Sequence, residues 1–190
     1  ERIKAELEVR EQIKRIEFLA KTSTEYVKLS LKEDIYKVIG DKLIEISDNS
    51  IIFINIFEES PNKITTKYVA GVGDRLEEIK NILGKHPLDM NYSVTEEQKK
   101  PMRLSQIAKI KGGLYELTFG SIPKAECSKF EKLFNIDEIF GIGLTQKEIV
   151  YGSITILTFK NTKPLDFELI EAVCNESSIA LQRWIANEAV

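Results

Sequence analysis

The feature that most constrains the fold is an apolar run from Ile51 to Phe57, interrupted by a single amide at Asn55. Its β-branched and aromatic residues favour a strand. Successive side chains of a strand point to opposite faces, and here both faces are apolar. The run therefore predicts a strand inside a sheet that is covered on both sides.

A second strand signal lies between Phe140 and Phe159, in a stretch that contains Gly141 and Gly143. The glycines have two interpretations: a phosphate-binding loop, which must open a helix, or glycines within a strand. Four polar residues follow at 145–148, and then comes the β-branched and aromatic run 149–159 rather than a helix. We therefore predict a strand–turn–strand hairpin, in which the glycines mark a bulge or the close approach of another segment.

Helical periodicity surrounds these strands. We predict a capping box at Ser30 and Glu33, a turn at 59–62, a second strand at 67–72 and an irregular region at 85–113. The predicted helices cover residues 1–29, 30–46, 74–83, 123–134 and 164–187. This order predicts an α+β fold, with a central antiparallel sheet, terminal helices packed on one face, and loops and short helices on the other.

The composition is that of a globular protein, with 43% hydrophobic residues and a net charge of −3. A pI of about 5.5 argues against nucleic-acid binding. The chain lacks an apolar run of the roughly 18 residues that span a bilayer, and its charged start is unlike a signal peptide. We expect a cytoplasmic protein without direct membrane insertion, and the missing initial Met suggests a fragment of a longer protein. Cys127 and Cys174 form neither a disulfide framework nor a zinc spacing.

The first predicted helix carries a narrow apolar stripe at spacings of three and four residues, formed by Val9, Ile13, Ile16 and Ala20. Ser23 interrupts the heptad pattern. Such a stripe packs either on a partner helix or on the helix's own domain. We predict a parallel homodimer through this helix, and we separate residues 1–29, as a linker helix with coiled-coil character, from a domain at 30–187.

At this point the chain resembles a GAF domain, the small-molecule sensor module related to PAS domains. The resemblance covers residues 15–187. It rests on the entry segment 15–23, the end of the second helix at 44–47, the two-faced strand 51–57, the hairpin strand 150–156 and the closing helix around 180–183. These are patterns of hydrophobicity rather than signatures.

The resemblance implies a non-catalytic, regulatory domain of a signalling protein, with a sensor histidine kinase as the expected context and PAS, GAF or kinase modules as neighbours. Residues 1–7 resemble the linker helices that join such modules. The Asn-Lys-x-x-x-Phe-x-x-x-Asp-Glu motif of cyclic-nucleotide-binding relatives is absent. Bilin-binding relatives place a Cys next to a His, whereas Ser128 follows Cys127. Neither ligand is therefore expected.

Asn55 is the chemically informative residue, because an unpaired buried amide costs about 1–3 kcal/mol. It either pairs within the protein or faces a polar ligand. If the strand face that carries Asn55 and the polar face of the later strand 150–156 lie on the same side of the sheet, these two faces line a small-molecule pocket. The residues that we expect there are Phe53, Asn55, Tyr151, Ser153, Thr155, Cys127 and Phe130.

Two alternatives stay open. The first alternative, in place of a small-molecule sensor, is a dimerisation spacer without a ligand, whose pocket face is filled with side chains. The second alternative is a haem or redox sensor that uses His86 or Cys127. His86 is the single histidine and precedes Pro87. The sequence contains no Gly-x-Ser-x-Gly motif, so we expect no serine nucleophile and no catalytic residue.

Overall fold

The computed structural model describes residues 2–58 and 62–189. The helices are α1 Arg2–Lys28, α2 Ile35–Ser47, α3 Leu76–Leu83, α4 Glu96–Lys99, α5 Gly113–Leu117, α6 Lys124–Leu133 and α7 Phe167–Glu188. The strands are β1 Ser50–Glu58, β2 Lys63–Ala70, β3 Asn91–Ser93, β4 Ala108–Lys109, β5 Ile136–Gln146 and β6 Ile149–Phe159. Short 3₁₀ turns occupy Gly73–Arg75, Pro87–Asp89 and Lys100–Leu104.

The strands form one antiparallel sheet in the order β3-β2-β1-β6-β5-β4. The central pair is β1 and β6, which are also the most apolar strands. The predicted hairpin is β5 and β6, joined at Lys147 and Glu148, whose φ angles are 47° and 67°. Positive φ at both turn residues matches the twist of a two-residue hairpin.

The sheet separates two apolar cores, as the two-faced strand predicted. On one face, Ile52, Ile54 and Ile56 pack beneath α1, α2 and α7. On the other face, Ile51 and Phe53 pack beneath α3, α5, α6 and the segment around β3. The α+β class, and the placement of terminal helices on one face with short elements on the other, are confirmed.

Several helix and strand boundaries in the structure differ from those predicted from the sequence. α2 begins at Ile35 rather than at residue 30, because Asp34 caps it by accepting hydrogen bonds from the backbone N–H groups of Tyr36 and Lys37. Glu33 instead accepts from the Ser30 backbone N–H, 2.8 Å away, and closes the preceding turn. β2 starts at residue 63 rather than 67. The predicted turn at 59–62 falls mostly on residues 59–61, outside the described residues.

Candidate functional site

A cavity of about 330 Å³ lies between the sheet and the short elements that cover its second face. Its floor comes from the four central strands, and its walls come from α3, α5, α6 and the segment 90–110. Its lining residues are Phe53, Asn55, Ile64, Thr66, Leu83, Met90, Tyr92, Gln98, Pro101, Met102, Gln106, Ala108, Ile110, Leu114, Glu116, Leu117, Thr118, Phe119, Phe130, Gly141, Ile142, Gly143, Ser153, Ile154 and Thr155. This volume lies at the lower end of the range for small-molecule sites.

A patch of polar side chains crosses the cavity floor. Asn55 of β1 is the register partner of Ser153 on β6, and Thr155 lies one strand repeat further along. On the other side of Asn55, a bulge in β2 brings Thr66 into register with it. The Thr66 hydroxyl donates to Asn55 Oδ1 at 2.9 Å. This bond leaves the amide NH₂ of Asn55 as a donor beside the hydroxyls of Ser153 and Thr155.

The segment 96–110 forms a lid over the β5 end of the cavity. Thr95 and Gln98 make a reciprocal capping box that starts α4. The lid then descends onto β5, where the Thr145 hydroxyl donates to the Met102 carbonyl at 2.9 Å. At Gly143, an added Cβ would overlap that carbonyl oxygen and lie 2.6 Å from its carbon. Gly143 therefore permits the close approach of another segment that the sequence predicted.

The lid is also tied to the helices on the opposite face of the sheet. The backbone N–H of Ile107 donates to the Glu171 carboxylate of α7 at 2.9 Å. Its neighbours Gln106 and Ala108 line the cavity, while the Ile107 side chain packs against the helix-side core. The segment 106–108 thus touches the cavity and α7 at the same time.

Tyr92 of β3 contributes a buried polar group to the wall. Its side chain is 9% exposed, and its hydroxyl has no hydrogen-bond partner among the described residues. Burial raises the pKa of Tyr92, and the nearby Cys127 thiol raises it further. An unpaired buried hydroxyl is costly, so this group is a candidate for a partner supplied from outside the chain.

The cavity wall is almost free of charge. Among the described residues, the lining contains no Lys, Arg or His, and Glu116 is its only carboxylate. Glu116 is exposed, as are Pro101, Gln106 and Ala108, so these four residues form the rim.

Five of the seven predicted pocket residues line this cavity: Phe53, Asn55, Phe130, Ser153 and Thr155. Tyr151 does not line it. β6 carries an extra residue between Val150 and Gly152 relative to β5, and this bulge breaks the alternation of side chains. Tyr151 consequently packs against the helix-side core.

Cys127 does not line the cavity either. It lies on α6 in the core, where it is 2% exposed, and its thiol donates weakly to the Ile122 carbonyl at 3.7 Å. Burial, and then the Glu131 carboxylate, raise the pKa of Cys127. A raised pKa removes the reactive thiolate, so its environment is that of a packed thiol.

His86 lies outside the cavity lining, and its Nδ1 accepts from the Leu88 backbone N–H at 3.2 Å. The cavity therefore offers haem iron no histidine and offers a bilin no cysteine. Within residues 2–58 and 62–189 there is no group of three or more His, Cys, Asp and Glu side chains placed to hold a metal ion. None of the helices described is both long and apolar enough to cross a membrane.

Several lining residues were missed from the sequence, above all Tyr92, Gln98, Met102, Gln106 and Thr118. All of them lie in or after the region predicted as irregular. The capping-box pattern at Thr95 and Gln98 was the one signal that marks a helix there.

A second candidate surface is the α1 stripe, formed by Val9, Ile13, Ile16 and Ala20. α1 packs on its own domain through other residues, chiefly Phe18, Leu19, Thr22 and Tyr26. The stripe lies on a different side of the helix, and Val9, Ile13 and Ile16 are 60%, 51% and 64% exposed. The two interpretations of this helix are thus compatible, because each uses its own face.

No family model matches the sequence, and no curated protein matches it. Several solved structures, however, have a similar fold. A GAF domain from a phosphoenolpyruvate-protein phosphotransferase of Coxiella burnetii superposes with a TM-score of 0.59 at 11% identity, covering 93% of this chain and 97% of that one. The chain has the GAF fold.

Two further domains with similar structures belong to a bacteriophytochrome and to a sensor histidine kinase. The chromophore-binding domain of an unusual bacteriophytochrome from R. palustris gives a TM-score of 0.59 at 9% identity, over 94% of this chain. This chain spans 62% of the length of that domain. A domain assigned to a two-component sensor histidine kinase from Sinorhizobium meliloti 1021 gives a TM-score of 0.53 at 11% identity, covering 82% of this chain and 93% of that one. The GAF resemblance predicted from the sequence is confirmed at the level of the fold.

Proposed function

We propose that this chain is a non-catalytic sensory domain of a cytoplasmic signal-transduction protein, and that it binds a small molecule between its sheet and its lid. The observation that carries the proposal is the cavity of about 330 Å³, whose floor bears Asn55, Ser153 and Thr155 within apolar walls. Ligand sites combine apolar lining with a few convergent polar groups in this way.

The cavity also distinguishes this function from that of a spacer. A domain that serves only to hold two helices apart would be expected to fill this face with side chains, since close packing stabilises a fold. Here the elements that cover this face leave a cavity of about 330 Å³ above the polar floor. The open volume supports a binding function.

Signal output would pass through the contact between the lid and α7. A ligand that touches Gln106 or Ala108 also acts on Ile107, whose N–H is held by Glu171. A ligand shifts a conformational equilibrium only through contacts that differ between the two states. The lid is the element whose contacts would differ, and α7 is the element that would report the difference.

We further propose that the chain dimerises through the α1 stripe. Residues 2–14 of α1 are all exposed, so this part of the helix is not buried within the chain. Most of the stability of a helix in a protein comes from packing of its apolar face, and this part of α1 lacks such packing within the chain. Pairing with a second copy would bury the stripe and stabilise the helix, which already contacts α7 through Tyr26 and Ser177.

We propose a sensor histidine kinase as the full-length context; a domain assigned to such a protein has a similar fold, as has a domain from a phosphotransferase. Haem or thiol sensing has less support, because neither His86 nor Cys127 lines the cavity.

Native mass spectrometry of the chain incubated with a small-metabolite extract tests ligand binding. We expect a retained mass that is lost on denaturation. Ala108→Trp should abolish its retention by blocking the rim. Lys109→Trp is the matched control, because Lys109 does not line the cavity and pairs instead with Glu138. Equal retention by the two variants would contradict the assigned site, and no retained mass in the wild type would contradict ligand binding.

A further inference from the structure

The charges around the cavity restrict what it can hold. Every lysine and arginine of the lid is directed to a partner away from the lining. Lys99 donates to Asn62 at 2.5 Å and pairs with Glu96 at 3.0 Å, Lys100 pairs with Glu97, and Lys109 pairs with Glu138. Arg103 also pairs with Glu96.

An anion that entered the cavity would therefore lose its hydration without gaining a counter-charge. Burying an unpaired charge is strongly unfavourable, and this cost far exceeds the gain from a few neutral hydrogen bonds. Phosphate and carboxylate ligands are disfavoured by this wall. A cation has only Glu116, which is exposed at the rim and screened by water, so the floor offers a buried cation no carboxylate either.

The polar floor nevertheless requires hydrogen-bond partners. The Asn55 amide donates, while the hydroxyls of Ser153 and Thr155 both donate and accept. Beside them stand apolar groups that suit a flat hydrophobic body: Phe53, Met90, Met102, Phe119 and Phe130. At about 30 Å³ for each water in the liquid, the volume equals that of about eleven waters, which suits a small molecule.

We propose that the ligand is an uncharged, planar small molecule, with an apolar ring and one edge that both donates and accepts hydrogen bonds. Aromatic amides and neutral heteroaromatic bases have this chemistry. The inference rests on the proposed function, and it names the class of ligand that the cavity selects. The ring lies against the aromatic and methionine side chains, and the polar edge lies on Asn55, Ser153 and Thr155.

The test uses three probes of nearly equal shape and equal numbers of non-hydrogen atoms at neutral pH: benzamide, benzoate and benzamidinium. They differ chiefly in charge. Binding is measured by calorimetric titration of the whole chain, at concentrations suited to the weak affinity of fragments. Benzamide should bind at least about tenfold more tightly than either ion. Ala108→Trp should remove that binding, and Lys109→Trp should keep it.

A second variant tests the polar edge. Thr155→Val removes one hydroxyl with little change in shape, and it should weaken benzamide binding severalfold. Circular dichroism and thermal unfolding confirm that the variant is folded.

The outcomes separate the two proposals. Benzoate or benzamidinium binding as tightly as benzamide, and lost in Ala108→Trp, would overturn the ligand class while supporting the cavity as a binding site. If none of the probes binds, the class inference fails, and the retained mass from the metabolite extract decides the proposed function independently.

Discussion

Replacing Gly143 by Ala should detach the lid from the sheet, because this glycine is the point at which the two touch. A Cβ there would overlap the Met102 carbonyl oxygen and lie 2.6 Å from the carbonyl carbon and 2.9 Å from Cα. The oxygen is the nearest of these atoms, and a Cβ essentially never lies within 3.0 Å of a backbone atom, so the Met102 carbonyl must move by more than about 1 Å. That movement also stretches the hydrogen bond from Thr145 to Met102.

The cost follows from these two effects. Overpacking against backbone costs about 1–3 kcal/mol, and a weakened hydrogen bond costs about 0.5–1.5 kcal/mol. Replacing a strand glycine by alanine offsets this by about 0.5–1 kcal/mol. We expect a net loss of about 1–3 kcal/mol in the free energy of unfolding, measured by urea denaturation, together with faster amide hydrogen exchange across residues 100–110.

Gly141→Ala is the matched control, two residues away on the same strand. Its Cβ would meet only the Ile110 Cδ1 at 3.4 Å and Cγ1 at 3.9 Å, and a side chain can adjust. This variant should be as stable as the wild type or slightly more stable. If Gly143→Ala matched Gly141→Ala in both stability and exchange, the account of how the lid is seated would be refuted.

Three further predictions address the other parts of the molecule. Aspartate at Val9, Ile13 and Ile16 should convert a dimer to a monomer by light scattering, whereas Leu7→Asp, off the stripe, should not; an unchanged mass in the triple variant would reject the proposed dimer. Tyr92→Phe should leave the free protein as stable as the wild type or more stable, because it removes an unpartnered hydroxyl. Tyr26→Phe, in contrast, should lower the free energy of unfolding by about 1 kcal/mol, because it breaks a 2.6 Å hydrogen bond to Ser177. A loss of stability in Tyr92→Phe larger than that in Tyr26→Phe would show that the Tyr92 hydroxyl is already paired. Burial, and then the Glu188 and Asp34 carboxylates, raise the pKa of Tyr36 to about 12. Its neutral form therefore contributes stability below pH 10 that is lost as the pH rises from 10 to 12. If the difference in stability between the wild type and Tyr36→Phe stayed constant from pH 10 to 12, that pKa shift would be contradicted.

The fold could be predicted because its signals are periodic. The two-faced strand at 51–57 predicted a sheet with two covered faces, and the long first and last helices were predicted to cover one of them; α2 joins them there. The hairpin at 140–159 was predictable because its polar turn separates two β-branched runs. The start of α2 was misplaced because Ser and Asp both cap helices, and in the structure it is Asp34 that accepts the backbone N–H bonds of the first turn.

The candidate site was predictable only where it lies on regular strands. Asn55, Ser153 and Thr155 alternate with apolar residues, so the sequence indicated the polar face of each strand, and the pairing of β1 with β6 shows that the two faces are shared. Tyr151 escaped that rule because a bulge is set by pairing with β5, which the β6 sequence does not encode. The lid residues have no period, and their positions depend on single contacts such as Met102 with Gly143 and Ile107 with Glu171.

The central claim is that occupation of the cavity is relayed to α7, and backbone amide NMR shifts during a benzamide titration test it most directly. We expect shifts at Thr155 and Gly143 in the cavity, at Ile107 in the lid, and around Glu171 on α7, all with one binding constant. Glu171→Leu should abolish the α7 shifts, whereas Glu171→Gln, which keeps an acceptor oxygen, should preserve them. Shifts confined to the cavity, with Ile107 and α7 unmoved, would contradict the account.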